Sequence, residues 1–354
     1  MGHMTRHPSL RQPLTLVLSV FGAATCFVWI GGGQAEPSAP IAISGSSTVG
    51  PITELAIRSF QNRGPGRTAQ IAPVVENGTS AGFRDFCSGK TAINNASRPI
   101  SGKELSACKA AGVAFYELPI GFDAITLVVN TNNTWARDIT LGELKTLWSR
   151  SAQNKVNRWD QVRSGWPNQP IRLFGPGRDS GTFDYFSKAI TGEVGNQRGD
   201  ISTSEDDNQL VKRVEGTPYA MGYFGYAYFR TNSQRLRALA VVGPKGKVLP
   251  SLKTVQNETY QPLSRPVFIY VNARRMETNP TLRSLVNHYI MNASEFVGEE
   301  GSVPLSDSQY RLVQNKLFRH VLGTAFGGDL PVGLTLGQIL NRSIDQTKRP
   351  QFRL

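Results

Sequence analysis

The chain has 354 residues, of which 39% are hydrophobic and 18% are charged. This length allows two domains that each bury a core, and the composition excludes a largely disordered chain. The net charge is +13, but the basic residues are scattered and form no nucleic-acid motif, so the charge favours small anions over nucleic acid.

The N-terminal segment has the three parts of a secretory signal peptide. Arg6 and Arg11 precede an apolar run over 14–30, and small residues follow it. The pattern predicts export and cleavage after Ala35, with an uncleaved membrane anchor as the alternative. Cys26 lies inside the apolar run, which argues against a lipoprotein cysteine. Without the two arginines of this segment the net charge falls from +13 to +11.

Two cysteines, Cys87 and Cys108, lie beyond the signal segment. Because an exported protein folds in an oxidising compartment, they predict a structural disulfide. The chain-entropy model gives such a bond about 3 kcal/mol. Two free thiols or a redox pair are the alternatives, although the spacing is not that of a CxxC motif.

Strand-like and helix-like segments alternate along the rest of the chain, which predicts an α/β fold. The strand patterns cover 41–44, 71–76, 91–95, 122–130, 171–174 and 266–272. The helix patterns cover 52–60, 81–88, 141–148, 183–190, 280–297 and 306–321. Thr140 is the predicted N-cap of the third helix. The tail from Gly323 onward is Gly-rich and then basic, and we interpret it as loosely ordered.

Three turns combine Gly, Ser and Thr between a strand and a helix, over 44–51, 77–82 and 177–182. Such turns expose the free N–H groups of the helix start, where the helix dipole also favours an anion. An ordinary capped connection explains any one of them. Their repetition and the guanidinium of Arg178 favour an oxyanion site. Asp179 would orient Arg178, and the alternative for this pair is a surface salt bridge.

A fourth polar segment, 94–100, ends another predicted strand with a proline-terminated turn. The hydroxyl of Ser97 can hydrogen-bond an oxyanion, and Arg98 would be a second cation at the mouth of the site. The alternative for Arg98 is a solvent-exposed side chain at a turn.

These segments resemble the phosphate-binding protein of the bacterial phosphate ABC transporter, the PstS-like family. The resemblance runs through residues 41–325, and the Arg-Asp-Ser-Gly-Thr block is its most specific element. The matching motifs are Gly-Ser-Ser-Thr-Val at 45–49, Gly-Thr-Ser-Ala-Gly at 78–82, Ala-Ser-Arg-Pro-Ile at 96–100, Gly-Arg-Asp-Ser-Gly-Thr-Phe at 177–183, and the strands at 123–130 and 262–270.

The resemblance implies the two-lobed, type II periplasmic binding protein fold, with the ligand in a cleft between α/β lobes joined by two hinge strands. The crossings would lie near Asp123 and Arg265. Lobe one would hold residues 36–123 and 266–354, and lobe two residues 124–265, after a signal peptide over 1–35.

The turns and the resemblance together give a set of candidate phosphate ligands. They are Ser47, Thr48, Val49, Thr79, Ser80, Ser97, Arg98, Arg178, Asp179, Ser180, Gly181 and Thr182. One position departs from part of the family, because some members carry at Ser97 an Asp that accepts the proton of hydrogen phosphate and so rejects sulfate. Ser97 itself, Asp179 or Asp123 are the alternative acceptors.

The expected function is capture of inorganic phosphate in the periplasm and its delivery to permease subunits in the inner membrane, by a monomer without metal or cofactor. Another tetrahedral oxyanion, such as sulfate or a phosphonate, is the alternative ligand. A phosphate-ester hydrolase is disfavoured because the sequence shows no nucleophile with an activating base and no metal-spaced cluster. His3 and His7 lie in the signal segment, and His288 and His320 lie in late helices. An adhesin or signalling subunit on the same fold is a third possibility.

Overall fold

The computed structural model describes residues 1–2, 39–335, 337–338 and 342. The predicted signal peptide, its cleavage point and Cys26 therefore lie outside the described residues. The described residues from Ala39 onward form one compact unit. No helix in the described part of the chain is long and apolar enough to cross a bilayer.

The described residues form twelve β-strands and twelve α-helices, which alternate over much of the chain, except that three strands follow one another over 236–248 and three helices over 273–300. The strands are β1 (Ile43–Gly45), β2 (Ile93–Ala96), β3 (Phe115–Asn130), β4 (Asp138–Thr140), β5 (Arg172–Gly175), β6 (Ser202–Thr203), β7 (Ala220–Gly225), β8 (Leu236–Ala238), β9 (Ala240–Gly243), β10 (Gly246–Val248), β11 (Ser264–Asn272) and β12 (Val303–Pro304).

The helices cover the sheet and supply the turns of the site. They are α1 (Gly50–Gln61), α2 (Thr79–Cys87), α3 (Gly102–Ala110), α4 (Leu141–Trp148), α5 (Gly181–Thr191), α6 (Asp207–Gly216), α7 (Tyr226–Thr231), α8 (Leu252–Gln256), α9 (Ala273–Thr278), α10 (Pro280–Met291), α11 (Ala293–Glu300) and α12 (Asp307–Phe318).

Nine strands form one sheet whose main path runs β1-β2-β11-β3-β7-β5-β6, with β8 and β12 also paired to β3. Strand β3 is buried along all its 16 residues and passes through both halves of this sheet. It pairs antiparallel with β11 as far as Ala124 and with β7 from Ile125 onward. A smaller sheet has the order β10-β9-β4. The long apolar strand β3 thus joins the two halves, and β11 lies beside it at the junction.

Local sequence signals account for most helix starts. Thr140 caps α4 in a capping box, in which its hydroxyl accepts the Glu143 N–H at 3.1 Å and the Glu143 carboxylate accepts the Thr140 N–H at 2.8 Å. The prediction for this cap is confirmed. Ser101 caps α3 in the same way with Glu104. Such caps satisfy N–H groups that have no partner inside the helix.

Two predicted elements differ from the structure. The strand expected over 71–76 is reduced to isolated bridges from Ile71 and Val75 to the β1 region, because Pro73 has no N–H to donate to a ladder. The single helix expected over 280–297 is wrong. It divides at Asn292, whose side-chain amide donates to the His288 carbonyl at 2.7 Å and so competes with the helical backbone.

The predicted disulfide is confirmed, since Cys87 at the end of α2 is bonded to Cys108 in α3. The expectation of a loosely ordered tail is wrong at its beginning. The Gly323 N–H donates to the Phe115 carbonyl at 2.8 Å, and the Ala325 N–H donates to the Glu117 carboxylate at 2.9 Å. These bonds attach the chain after α12 to the buried strand β3.

Candidate functional site

Arg265 lies at the centre of the polar residues that join the two halves of the sheet. Its side chain is fully buried in β11. It donates hydrogen bonds to the Thr48 hydroxyl at 3.3 Å, the Thr182 hydroxyl at 2.8 Å and the Ser97 carbonyl at 3.0 Å. A single guanidinium therefore contacts three of the four polar segments that the sequence singles out.

The counter-charge of Arg265 is Asp123 of β3, its direct partner in the strand register. Both Nε and Nη2 of Arg265 donate to Oδ2 of Asp123, at 3.2 and 2.9 Å. The Tyr226 N–H donates to Oδ1 at 3.0 Å. We call this group the crossing: Thr48, Asp123, Thr182 and Arg265. Since its ion pair is neutral overall, an anion there must be held mainly by directed donors.

Helix starts supply those donors. Helix α1 begins beyond Thr48, α2 begins at Thr79, and α5 begins at Gly181. Ser180 caps α5, and its hydroxyl accepts the Thr182 N–H at 3.1 Å. The remaining N–H groups of each first turn have no partner inside the helix, and the positive ends of three helix dipoles lie near one another.

The turns from the two halves touch each other directly. In the half that contains β1 and β2, the Thr79 and Ser97 hydroxyls lie 3.2 Å apart and face the start of α5 in the other half. A Cβ added at Gly181 would lie 2.7 Å from each of these hydroxyl oxygens, so only glycine permits this approach. The Ser80 N–H donates to the Asp179 carbonyl at 2.8 Å. The structure thus brings predicted residues of the second and fourth segments against the start of α5, and Arg265 links Thr48 of the first segment to Thr182 there.

Ser47 and Val49 flank Thr48, and their polar groups already have partners within the protein. The Val49 N–H donates to the Ser46 carbonyl at 3.1 Å, so the turn itself uses this group. The Ser47 hydroxyl donates to the Asp207 carboxylate at 3.2 Å. Ser47 and Val49 therefore lie beside the crossing, and their direct role with a ligand stays a prediction.

Arg98 does not lie at the mouth of the site, and this expectation is wrong. Its side chain is buried, and it donates to the Asp184 carboxylate at 2.7 Å and to both Glu104 carboxylate oxygens at 2.8 Å. It also donates to the Ser80 hydroxyl at 2.8 Å. Two carboxylates therefore outweigh one guanidinium, which leaves this arginine poorly suited to attract an anion.

The expected pairing of Arg178 with Asp179 is also wrong. The Asp179 carboxylate instead accepts two hydrogen bonds from Arg84, at 2.7 and 2.9 Å, and these bonds lower its pKa. Arg178 is exposed, and its guanidinium carbon lies 5.8 Å from the centre of the Phe183 ring. We call the second group the seam, which comprises Arg84, Arg98, Glu104, Asp179 and Asp184.

Arg265 and Asp207 contact the first predicted turn, at Thr48 and Ser47, and neither was predicted from the sequence as a ligand. A signal for Arg265 was present, because an arginine inside a continuous apolar strand must be paired when that strand is buried. Asp207, the first residue of α6, is 1% exposed. Burial raises its pKa to about 8. Nothing in the local sequence distinguishes Asp207 from its neighbour Asp206, so its position required the fold.

No group of three metal-ligating side chains occurs within the described ranges of the chain. His288 Nε2 lies 3.1 Å from the Ser59 hydroxyl, and His320 Nδ1 lies 2.8 Å from the Tyr116 hydroxyl. Neither histidine contacts a residue of the crossing. The crossing therefore offers hydrogen-bond donors and one paired cation to an anion, and the two described histidines lie beside hydroxyls outside it.

These features are those of a class, the two-lobed α/β binding proteins, with a cluster of hydrogen-bond donors beside the paired strands β3 and β11. Comparison with known proteins identifies the family to which the chain belongs. The profile of the PBP superfamily domain matches residues 32–289. Protein SphX of Synechocystis is 44% identical over 330 residues, which cover 93% of this chain and 95% of SphX. The phosphate-binding protein PstS of Staphylococcus saprophyticus is 31% identical over 293 residues, covering 81% of this chain and 88% of PstS.

Solved structures agree with this placement. A possible phosphate-binding protein from Planctomyces limnophilus has a TM-score of 0.58 and 35% identity, covering 80% of this chain and 99% of its own. A putative phosphate ABC transporter substrate-binding protein from Clostridium perfringens, with bound phosphate, has a TM-score of 0.60 and 25% identity, covering 75% of this chain and 100% of its own. The chain belongs to the PBP superfamily and, within it, to the PstS-like family of substrate-binding proteins.

Proposed function

We propose that this protein captures inorganic phosphate outside the cytoplasm and delivers it to an ABC importer. The observation that carries the proposal is Arg265, which joins the hydroxyls of Thr48 and Thr182 from turns that precede different helices. The relatives named as phosphate-binding proteins and the phosphate-bound neighbour support phosphate as the anion.

The proposed mechanism is transfer of a dehydrated anion into a cleft of neutral donors. The guanidinium of Arg265 fixes one edge of the anion, and the hydroxyls and first-turn N–H groups provide the remaining hydrogen bonds. Closure of the lobes about the hinge strands would remove water and present the surface that permease subunits recognise. The candidate ligands are those predicted from the sequence with Arg265 added, except Arg98, which pairs with two carboxylates, and Arg178, which is exposed.

The lobe boundaries are part of the proposal. Strand β3 changes partner between Ala124 and Ile125, which supports lobe one as 36–123 and 266–354 and lobe two as 124–265. The position of Arg265 beside this change supports placing the site at the hinge. Proteolysis or hydrogen exchange with and without phosphate tests whether the site lies at the hinge. We expect phosphate to protect residues 123–125 and 263–265.

We infer a binding role without catalysis. The hydroxyls of Thr48, Thr79, Ser97 and Thr182 have other hydroxyls, backbone groups or Arg265 as partners, so none of these four lies against a base that would activate it as a nucleophile. Hydrolysis of p-nitrophenyl phosphate that is lost on Ser180→Ala would overturn this inference. An adhesin or signalling role would instead show as partner binding that survives loss of phosphate binding.

Export and a monomeric state complete the proposal. The signal segment over 1–35 supports export to the periplasm, and N-terminal sequencing of the secreted protein tests cleavage after Ala35. Light scattering of the secreted protein with and without phosphate tests the monomer. A dimer formed on ligand binding would contradict it.

Calorimetric titration with phosphate and with sulfate tests the ligand directly. We expect phosphate binding in the micromolar range or tighter, and a loss of about 100-fold in Thr182→Val, which removes the hydroxyl that Arg265 contacts. Thr203→Val changes an exposed threonine of β6 and is the matched control. Heat with sulfate or molybdate and none with phosphate would refute phosphate as the ligand.

A further inference from the structure

We propose that the segment 330–335, after the last β-strand and helix α12, is a wedge behind the hinge that favours the closed arrangement of the two lobes and so sets the affinity for the ligand. The inference rests on the proposed function and its lobe boundaries, because it concerns closure of the same site. It assigns a role to a part of the chain that lies beyond residue 289, where the match to the family profile ends.

The two hinge strands have a front face and a back face. The side chains of Asp123 and Arg265 meet at the crossing, on the front face. Phe122 and Ser264 each precede one of these residues, so their side chains lie on the opposite face of the strands. Both line a cavity of about 460 Å³. A lobe rotation that opens the cleft in front of the strands narrows the space behind them.

Both lobes contribute to the lining of this cavity. Val303 and Leu305 line it from lobe one, and Val255 and Gln261 line it from lobe two. Leu334 of the segment lines the same cavity, so its side chain lies between the lobes behind the hinge. Because packed side chains cannot overlap, any volume placed there resists narrowing of the cavity. The side chain of Leu334 therefore opposes opening of the cleft.

The chain just before the segment is fixed to lobe one. The Gly102 N–H donates to the Gly328 carbonyl at 3.0 Å. The buried ring of Phe326 packs edge-on against the ring of Phe268, with 5.8 Å between their centres. Leu330 packs against the hydrophobic core. The segment thus has the fixed attachment to one lobe that a wedge requires.

Tyr185 of α5 connects the segment to lobe two. The Gly333 N–H donates to the Tyr185 hydroxyl at 3.1 Å, and this hydroxyl donates to the Ser264 carbonyl at 2.8 Å. Tyr185 is 1% exposed and lies one helical turn after Gly181, at the helix start that faces the anion-binding turns. Tyr185 is therefore a positioning residue, because it couples the segment to this helix. Movement of α5 away from the segment would break the bond from Gly333.

The described arrangement of the lobes is the closed one. The Ser80 N–H of lobe one donates to the Asp179 carbonyl of lobe two at 2.8 Å, and Arg84 donates to the Asp179 carboxylate at 2.7 Å. Since only the closed form surrounds the anion, the apparent dissociation constant is the intrinsic one divided by the closed fraction. Contacts of the segment that raise this fraction therefore tighten phosphate binding.

Two substitutions of opposite size at Leu334 test the inference by calorimetry with phosphate. Leu334→Ala should weaken binding about fivefold, whereas Leu334→Trp, which fills more of the cavity, should tighten it about threefold. A purely structural role of Leu334 gives no increase in affinity. Leu249→Ala and Leu249→Trp are the matched controls, since Leu249 is 55% exposed after β10.

Small-angle X-ray scattering without phosphate measures closure itself. The radius of gyration should rise in Leu334→Ala and should fall towards the phosphate-bound value in Leu334→Trp. Tyr185→Phe removes the hydroxyl that joins Gly333 to Ser264 and should weaken phosphate binding about fivefold. Tyr223→Phe is its control, because it removes an equally buried hydroxyl whose partner is Gln197 within lobe two.

The outcomes separate the inference from the proposed function. An unmodified protein that binds no phosphate would refute the proposed function, while scattering of the phosphate-free Leu334 variants would still test the wedge. If phosphate binds and both Leu334 variants bind it equally well, or both change in the same direction, the wedge is refuted. Should Leu334→Trp fail to fold by circular dichroism, unchanged affinity and radius of gyration in Leu334→Ala and Tyr185→Phe would refute it.

Discussion

The crossing and the seam each contain a buried arginine that bridges the two halves of the sheet, but the two arginines differ in the charge of their partners. Arg265 has one carboxylate partner and two hydroxyl partners. Arg98 has two carboxylate partners. The crossing is thus neutral and rich in donors, whereas the seam carries excess negative charge. The balance of charge around a buried arginine separates an anion site from a structural ion pair.

The same substitution at both arginines would test this comparison most strongly. Arg265→Lys keeps the charge but removes the planar fork that contacts Thr48, Thr182 and the Ser97 carbonyl. We expect phosphate affinity to fall by at least about 100-fold, measured by calorimetry. Arg172→Lys, at an exposed position of β5, is the control. Unchanged affinity in Arg265→Lys would place the anion site elsewhere.

Arg98→Lys should have its effect on stability. Lysine cannot replace the hydrogen bonds to Glu104, Asp184 and Ser80 together, which leaves buried carboxylate oxygens without donors. We expect the free energy of unfolding in urea to fall by about 3 kcal/mol, with phosphate affinity within about threefold of normal. A large loss of affinity in a folded Arg98→Lys protein would show that the seam also binds the anion.

Buried carboxylates near the turns should make the stability of the protein depend on pH. Burial raises the pKa of Glu76 and Glu205 to about 7 and of Asp207 to about 8. These groups hold protons in the folded state that the unfolded chain releases near pH 4. Their contribution to stability is therefore complete below pH 4 and is lost as the pH rises to about 8.

The melting temperature without phosphate should accordingly be lower at about pH 8.5 than at about pH 5.5, by about 2 °C or more. Asp207→Asn should reduce the difference, because its amide does not titrate. In the seam, the hydrogen bonds from Arg84 lower the pKa of Asp179, so this group matters only below about pH 4. A melting temperature that rises from pH 5.5 to 8.5 would contradict the assignment of these raised pKa values.

Arg178→Ala should have the smallest effect. Its guanidinium is exposed and contacts the Phe183 ring, a contact that contributes about 0.5–1 kcal/mol at an exposed site. We expect phosphate affinity to change by less than about threefold. A loss comparable to that of Arg265→Lys would show that Arg178 turns inward when the ligand binds, as the sequence predicts.

Much of the fold follows from local signals, and the site follows from them in part. The capping pair Thr140 and Glu143, the apolar run of β3 and the Gly-Ser-Thr turns identify the elements and the ends of helices that face the anion. Local signals could not decide whether Arg178 or Arg265 is the arginine that contacts the anion. Arg178 adjoins a turn, but the direction of a side chain there depends on the packing around it. The role of Arg265 depends on its register with Asp123, which is separated from it by most of the second lobe.

The junction in β3 has a mechanical consequence. Any rotation of one lobe against the other must twist the β3–β11 ribbon where β3 changes partner, between Ala124 and Ile125. Asp123 and Arg265 face each other at this pivot. On the proposed lobe boundaries, the ion pair therefore joins the lobes at the point that moves least during closure. A rotation that shifts the Arg265 guanidinium only slightly carries the far end of a lobe through a much larger distance.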